Sequence, residues 1–288
     1  MNIFIMLLIN GLAEGALIFL MAAGLSIILG LLGVVNFTHG TLFIWGGYMS
    51  IWVYGLTGSF ILAVGAAILA GILMGLVFER LFIRPVYGNV TAQILITLGL
   101  MIIFTDLVRL LWGPNPIPMV RPPLLDGTWV FGSVIISKYR VFLIVVGILV
   151  AFAINYLVNR TRVGMVMRAG TQSPEMVQAL GINIKAYFSG VFAGGAGLAA
   201  LGGALYVPLV GSVWSGMGIN NQILAFIVVI LGGMGSFYGS AIGSIIIGLT
   251  VAMVSWFYPP LTVYSTVILL ILVLSLKPQG LFGLAVRK

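Results

Sequence analysis

The polar residues best suited to chemistry form one short stretch, residues 36–47, with the sequence N-F-T-H-G-T-L-F-I-W-G-G. It contains His39, the single histidine of the chain, together with Asn36, Thr38 and Gly40. No Asp, Glu, Lys or Arg occurs in the surrounding residues 15–78. We expect these residues to satisfy backbone groups left unpaired by a break in a buried helix, and so to line a pathway or act in gating. The alternative is a polar surface connection between two helices.

A second interruption is predicted at residues 231–243, L-G-G-M-G-S-F-Y-G-S-A-I-G. Each glycine destabilises a helix by about 1 kcal/mol relative to alanine, so this stretch contains too many for a continuous helix. Interruptions at corresponding positions in the two halves of a transporter often mark its pathway. We therefore also predict a pathway or gating role for Gly232, Gly233, Gly235 and Ser236.

Acidic residues are scarce, and Glu14 and Asp106 are the two that could lie within apolar segments. Asp106 and Arg109 are close enough along one predicted helix to pair locally near its end. Glu14 follows Gly11 by about one helical turn and is the better candidate for a pathway residue. Carriers driven by protons or sodium usually need carboxylates inside the membrane, which disfavours that mechanism here.

Most enzyme chemistry is excluded by what the sequence lacks. With one histidine and no cysteine, the chain can form neither an H-E-x-x-H site nor a Cys–His pair. No lysine follows a glycine, so the sequence contains no P-loop and predicts no ATP hydrolysis at a site of its own. We predict a protein that is not an enzyme and that binds neither a metal nor a cofactor.

The composition indicates that a membrane surrounds these residues. The 288 residues are 61% hydrophobic and 6% charged, whereas a soluble domain contains about 25% charged residues. Each crossing of a ~30 Å hydrocarbon core needs about 20 apolar residues. We predict an all-α polytopic bundle, a single transmembrane domain over 1–288 with eight or nine membrane segments, one or two of them interrupted or half helices. The predicted spans are 5–33, 37–56, 60–79, 91–112, 141–158, 186–208, 222–235, 239–256 and 261–276, and 222–235 is too short to cross alone.

Basic residues predict the orientation. By the positive-inside rule their clusters face the cytoplasm, which explains the net charge of +8 without nucleic acid. Counting the predicted spans back from the first cluster places the N-terminus outside. The loop 113–140 is separated by membrane spans from the basic clusters on either side of it, so it is also predicted to face outside. Gly132-Ser133 separates two β-prone runs in that loop and predicts a small hairpin with a II′ turn, the alternative being an irregular lid. The clusters are Arg80 and Arg84; Arg160, Arg162, Arg168 and Lys185; and Lys277, Arg287 and Lys288.

A short helix is predicted over residues 174–180, within the cytoplasmic segment 159–185. Ser173 is a suitable N-cap, Pro174 and Glu175 favour a first turn, and Gly181 favours a helix end. A short amphipathic helix of this kind either rests on the lipid surface or docks on another protein. Its apolar residues are predicted to lie on one side, and they are Met176, Val177 and Leu180.

Four stretches of the chain form a set with a known counterpart. They are G-L-S-I-I-L-G-L-L-G-V-V-N-F-T-H-G (24–40), E-R-L-F-I-R-P-V (79–86), G-M-V-M-R-A with A-L-G-I-N (within 164–183) and I-L-G-G-M-G-S-F-Y-G-S-A-I-G (230–243). In this order they resemble signatures of the Liv-type permeases, the membrane subunits of bacterial branched-chain amino acid importers of the ATP-binding-cassette class. The chain is most similar to the shorter of the two paralogous permeases. The chain departs from these signatures at two places. Thr38 stands where alanine is usual, and Ser240-Ala241 lie around the position at which the last signature usually has alanine.

The resemblance implies a permease in the lipid of the bacterial inner membrane, paired with a second permease as a paralogous heterodimer. Two cytoplasmic ATPase subunits would use ATP and Mg²⁺, and a periplasmic binding protein would deliver the solute, with loop 113–140 as a candidate contact. The short helix becomes the expected coupling helix to the ATPase. The coupling residues so implied are Arg168, Ser173, Pro174, Glu175, Met176, Val177, Leu180 and Gly181.

The expected cargo is a branched-chain or related apolar amino acid moved inward. Because related members handle urea or short amides, one alternative is an importer permease, or a passive channel, for such a small neutral solute. A second alternative is an ion-coupled carrier, and a third is an intramembrane enzyme, which would lack any nucleophile–base pair. Dependence of uptake on ATP separates the importer from the channel.

Overall fold

The computed structural model describes residues 2–283, which form a helical bundle. Its helices are α1 (Asn2–Leu32), α2 (His39–Thr57), α3 (Phe60–Phe78), α4 (Val90–Trp112), α5 (Lys138–Arg160), α6 (Arg162–Gln172), α7 (Pro174–Ala179), α8 (Ile184–Val210), α9 (Met217–Gly232), α10 (Phe237–Phe257) and α11 (Thr262–Leu276). Seven described segments are long and apolar enough to cross a membrane, α9 is a shorter apolar helix, and α2 contains no charged residue. The predicted polytopic bundle is confirmed. Arg287 and Lys288, assigned to the last basic cluster, lie outside the described residues.

Local sequence determines where several helices begin. The side chain of Asn89 accepts a hydrogen bond from the Ala92 amide at 3.0 Å and caps α4. Asn183 caps α8 in the same way through the Ala186 amide, at 3.3 Å. Such caps satisfy amide groups that have no partner inside the helix.

Two small sheets lie outside the helices. Strands β2 (Thr128–Phe131) and β3 (Val134–Ser137) form the predicted hairpin, and Gly132 has φ +61° at its turn. The second sheet was not predicted: β1 (Ile117–Pro118) pairs with β4 (Ser212–Val213), which follows α8. This pairing joins the loop before α5 to the segment that leads into α9.

Helices α1 and α8 form the centre of the bundle, whereas α5 and α11 are peripheral. Small residues allow the neighbouring helices to approach α1 and α8 closely, which matters because lipid provides little hydrophobic drive for helix association. Gly71 and Gly75 of α3 pack against Ala200 and Ala196 of α8. Gly15 of α1 packs in a similar way against α10.

The helices fall into two halves, α1–α4 and α8–α11, that run in opposite directions. Gly195 of α8 contacts Gly24 of α1, while Gly202, further along α8, contacts Leu20, so these two helices are antiparallel. α3 packs along α8 as α10 packs along α1, and α2 crosses α9. This is the arrangement of an inverted repeat, in which solute sites usually lie between the halves.

Candidate solute pathway and coupling segment

The break between α1 and α2 is built by the polar stretch found in the sequence. Asn36 Oδ1 accepts hydrogen bonds from the Thr38 amide at 3.0 Å and from the Thr38 hydroxyl at 2.5 Å. His39 Nε2 donates to the carbonyl oxygen of Met21 at 2.9 Å. Because Met21 precedes the end of α1 by eleven residues, or ~16 Å at 1.5 Å per residue, the chain turns back into the bundle before α2 begins. The surface alternative is therefore wrong, since Asn36, Thr38 and His39 are fully buried.

Gln222 of α9 completes this polar cluster and was not singled out from the sequence. Its Oε1 accepts a hydrogen bond from the Gly40 amide, and its Nε2 donates to the Asn36 carbonyl oxygen at 3.3 Å. The backbones of Gly40 and Gly218 touch beside it, because a Cβ on Gly218 would lie 2.6 Å from the Gly40 carbonyl oxygen. The first turns of α2 and α9 thus meet inside the bundle, and we refer to this contact as the central crossing.

Part of the hydrogen-bonding capacity around the central crossing is unused. Asn36 Nδ2, His39 Nδ1, Ser26 Oγ and Thr41 Oγ1 are buried without a hydrogen-bond partner among the described residues. A buried polar atom without a partner is unfavourable by about 1–3 kcal/mol. These atoms can therefore form further hydrogen bonds if a partner comes within reach.

The second predicted break joins α9 to α10. Gly233 has φ +102° and Gly235 has φ +80°, and Ser236 caps α10 by accepting a hydrogen bond from the Gly239 amide at 3.1 Å. The last carbonyl oxygens of α9, including that of Gly232, accept hydrogen bonds from the amides of residues 281–282. Gly235 also packs on Gly30 near the end of α1. This break is a closely packed turn, held by a segment from the end of the described chain.

Glu14 lines a small, partly open cavity of about 40 Å³ between α1, α2, α8 and α9. Tyr206 and Asn221 add two further polar groups to its wall. The rest of the wall is apolar, and its residues are Leu17, Ile18, Met21, Phe43, Leu224 and Ala225. The polar groups of the cavity therefore come from three helices, and Met21 also accepts the hydrogen bond from His39 at the central crossing.

An ion pair between buried Glu79 and partly buried Arg84 lies at the end of α3, where the helix continues as a π-helical turn over Glu79–Ile83. Arg84 donates to both carboxylate oxygens of Glu79, at 3.1 and 3.0 Å. The hydroxyls of Tyr87 and of Ser189 in α8 also donate to this carboxylate, at 3.0 and 2.7 Å. Burial, together with the Glu79 charge, raises the pKa of the Tyr87 phenol above its ordinary value. The sequence placed Glu79 and Arg84 within a motif but did not predict that they join α3 to α8.

The short helix expected within segment 159–185 is α7, close to the predicted 174–180. Ser173 Oγ accepts a hydrogen bond from the Met176 amide at 3.4 Å, and Gly181 has φ +78° just after the helix. Met176 and Leu180 are exposed, but Val177 is 4% exposed. The three apolar residues of this helix therefore differ in burial, and Val177 anchors α7 to the bundle. Exposed side chains in this segment also include those of Arg168, Pro174 and Glu175.

Helix α6 was not predicted, and it connects α7 to α5. Arg168 Nη1 donates to the carbonyl oxygen of Val158 near the end of α5, at 2.6 Å. A groove of about 570 Å³ separates α6 and α7 from the ends of α1 and α3, and its wall includes Gly33, Pro174 and Arg84. Helices α6 and α7 are therefore adjacent both to the first helix break and to the Glu79–Arg84 pair.

These features define a polytopic transport protein of the permease class, in which two inverted halves surround a buried polar crossing. Residues 7–276 match the family model described as branched-chain amino acid transport system / permease component. Since the match covers most of the chain, the protein belongs to this family.

Individual relatives agree with the family assignment. The chain is 31% identical to the high-affinity branched-chain amino acid transport system permease protein BraD of Pseudomonas aeruginosa, over 96% of this chain and 94% of that protein. It is 30% identical to the corresponding permease protein LivH of Escherichia coli K12, over 97% and 96% of the two chains. A probable LivH of Methanocaldococcus jannaschii is 26% identical over 96% and 93%. No solved structure matched the chain.

Proposed function

We propose that this chain is the transmembrane permease subunit of an ATP-driven importer that moves branched-chain or related apolar amino acids inward across the bacterial inner membrane. The observation that carries the proposal is the family match over residues 7–276. Two relatives of nearly equal length are named as permease proteins of high-affinity branched-chain amino acid transport systems. The interrupted helices and the exposed α7 provide parts that such a subunit needs.

The partners proposed are a second, paralogous permease, two cytoplasmic ATPase subunits and a periplasmic binding protein. ATP and Mg²⁺ act on the ATPase subunits, because this sequence contains no P-loop lysine. The exposed side chains of Met176 and Leu180 suit a groove on the ATPase. The loop that carries the β2–β3 hairpin, residues 113–140, is the proposed contact for the binding protein.

The mechanism proposed begins at α7. Closure of the ATPase pair on ATP moves α7 and, through Val177, the segment that leads into α8. The Glu79–Arg84–Ser189 contacts make α8 and the end of α3 move together. Both α2 and α9 pack beside α8 or α1, so this motion reaches the central crossing and alters access between the two halves.

The test is uptake by proteoliposomes that contain the whole importer, with radiolabelled leucine and purified binding protein. We expect leucine to accumulate only when ATP is present on the side of the membrane that carries the ATPase subunits. Vanadate should inhibit this accumulation. Equilibration of leucine or urea without ATP would instead identify a passive channel. Uptake abolished by an uncoupler but insensitive to vanadate would identify an ion-coupled carrier.

A further inference from the structure

We propose that the cavity beside Glu14 is the site where the permease holds its amino acid solute, and that the Glu14 carboxylate receives the solute's α-ammonium group. The inference rests on the proposed function, since it assumes an amino acid cargo. It adds a binding site within the permease itself, distinct from whatever recognition the binding protein provides.

The first observation is that Glu14 lacks a partner of its own. Among residues 2–283, the salt bridges are Glu79–Arg84 and Asp106–Arg109, and Glu14 takes part in neither. Its charged neighbour Arg140 is beyond salt-bridge distance and instead donates to the Asn10 carbonyl oxygen at 3.5 Å. An ionisable side chain inside a membrane domain is unfavourable unless it is paired or used. A cationic group of a ligand in the cavity would pair it.

The second observation is that the cavity has separate polar and apolar walls. Asn221 Nδ2 donates to the Met217 carbonyl oxygen at 2.9 Å, so its Oδ1 can accept a further ammonium hydrogen. The Tyr206 hydroxyl lies within hydrogen-bonding reach of Asn221, and a hydroxyl can both accept a hydrogen bond and donate one to a carboxylate oxygen of the solute. Leucine-sized side chains and one aromatic ring form the apolar part of the wall. A small molecule with a charged head and a branched apolar tail matches this division.

The third observation is the position of the cavity between the inverted halves. Two of its helices, α1 and α2, belong to the first half, and the other two, α8 and α9, belong to the second. It adjoins the central crossing, because Met21 lines the cavity and also accepts the His39 hydrogen bond. Solute sites of inverted-repeat transporters form at this kind of interface.

The cavity must widen to admit the solute. A volume of about 40 Å³ holds a few water molecules at most, since each water needs ~10–15 Å³ on this measure. An amino acid with a branched side chain needs more room. Separation of α2 and α9 at the central crossing would enlarge the cavity, so solute binding and the transport motion involve the same contact.

The experiment measures equilibrium binding of radiolabelled leucine to the complete permease–ATPase complex in lipid nanodiscs, without binding protein. Glu14→Gln is expected to weaken leucine binding at least about tenfold, as for loss of a charge-assisted hydrogen bond. Leucinamide keeps the ammonium group, so it should compete with leucine for the wild type more strongly than for Glu14→Gln. 4-Methylpentanoate lacks that group and should compete weakly, and equally, for both proteins. Asp106→Asn removes a carboxylate from the exposed Asp106–Arg109 pair and should leave binding unchanged.

Each outcome decides for or against the site. The proposal is overturned if Glu14→Gln binds leucine as tightly as the wild type does. It is also overturned if Glu14→Gln weakens competition by leucinamide and by 4-methylpentanoate to the same extent. If Glu14→Gln does not assemble, Leu224→Phe provides the second test, because the added volume should weaken binding of leucine more than that of alanine. Equal effects on both amino acids would also overturn it. The proposed function fails separately, if the wild-type importer accumulates no leucine with ATP.

Discussion

Replacing Gly218 with alanine should disrupt the central crossing. The new Cβ would lie 2.6 Å from the Gly40 carbonyl oxygen, whereas ordinary contacts begin at 3.4 Å, so the backbones must separate by the difference, 3.4 − 2.6 = 0.8 Å. A backbone oxygen cannot turn aside as a flexible side chain can. Overpacking of this kind destabilises proteins by about 1–3 kcal/mol, which corresponds to a fall in melting temperature of about 2–12 °C for a chain of this size class.

A matched control is available in α2. A Cβ added at Gly55 meets no heavy atom within 4 Å, so Gly55→Ala should be neutral or slightly stabilising, because alanine favours helix more than glycine does. The assay is thermal unfolding of the purified proteins in the same detergent, followed by uptake by the reconstituted importer. Equal melting temperatures for the two variants would refute the close contact between α2 and α9, and with it the central crossing.

The remaining predictions concern polar contacts and the coupling helix. Glu79→Gln should lower stability by about 2–4 kcal/mol, because it leaves the partly buried Arg84 without its counter-charge, and combining it with Arg84→Met should restore much of the loss in a thermal unfolding assay. Gln222→Leu should lower both melting temperature and uptake by leaving the Gly40 amide and the Asn36 carbonyl unpaired, while a fully stable variant would count against that bond. His39→Phe should impair assembly or transport. Normal uptake by this variant would show that the histidine has no structural or gating role. Leu180→Asp should leave the permease folded, since this side chain is 73% exposed, but should reduce co-purification of the ATPase, and unchanged co-purification would contradict the docking role.

Most of the architecture could be predicted from the sequence because its signals are local. Long apolar runs free of charge give the membrane segments, and residues such as Ser173 and Asn183 fix helix ends through neighbouring amides. The β2–β3 hairpin could also be predicted, since Gly132 supplies the turn between two short β-prone runs.

The contacts between distant elements could not be predicted in the same way. Gln222 and Gly40 are 182 positions apart, and Glu79 and Ser189 are 110 apart, so no periodicity or spacing connects either pair. The burial of Val177 depends on how α7 lies against the bundle, and helical spacing alone cannot distinguish that side from the one occupied by Met176. The inverted arrangement of the two halves likewise follows from contacts such as Gly24–Gly195.

The central claim is that the energy for transport enters this chain through α7. Because the sequence contains no cysteine, Leu180→Cys and Val177→Cys each provide a unique reactive thiol, and they can be crosslinked in the assembled importer with and without ATP. We predict a crosslink from exposed Leu180→Cys to the P-loop subunit that changes with ATP, and none from buried Val177→Cys. Absence of any crosslink from Leu180→Cys in an importer that transports, or its labelling by an impermeant thiol reagent from the periplasmic side, would contradict it.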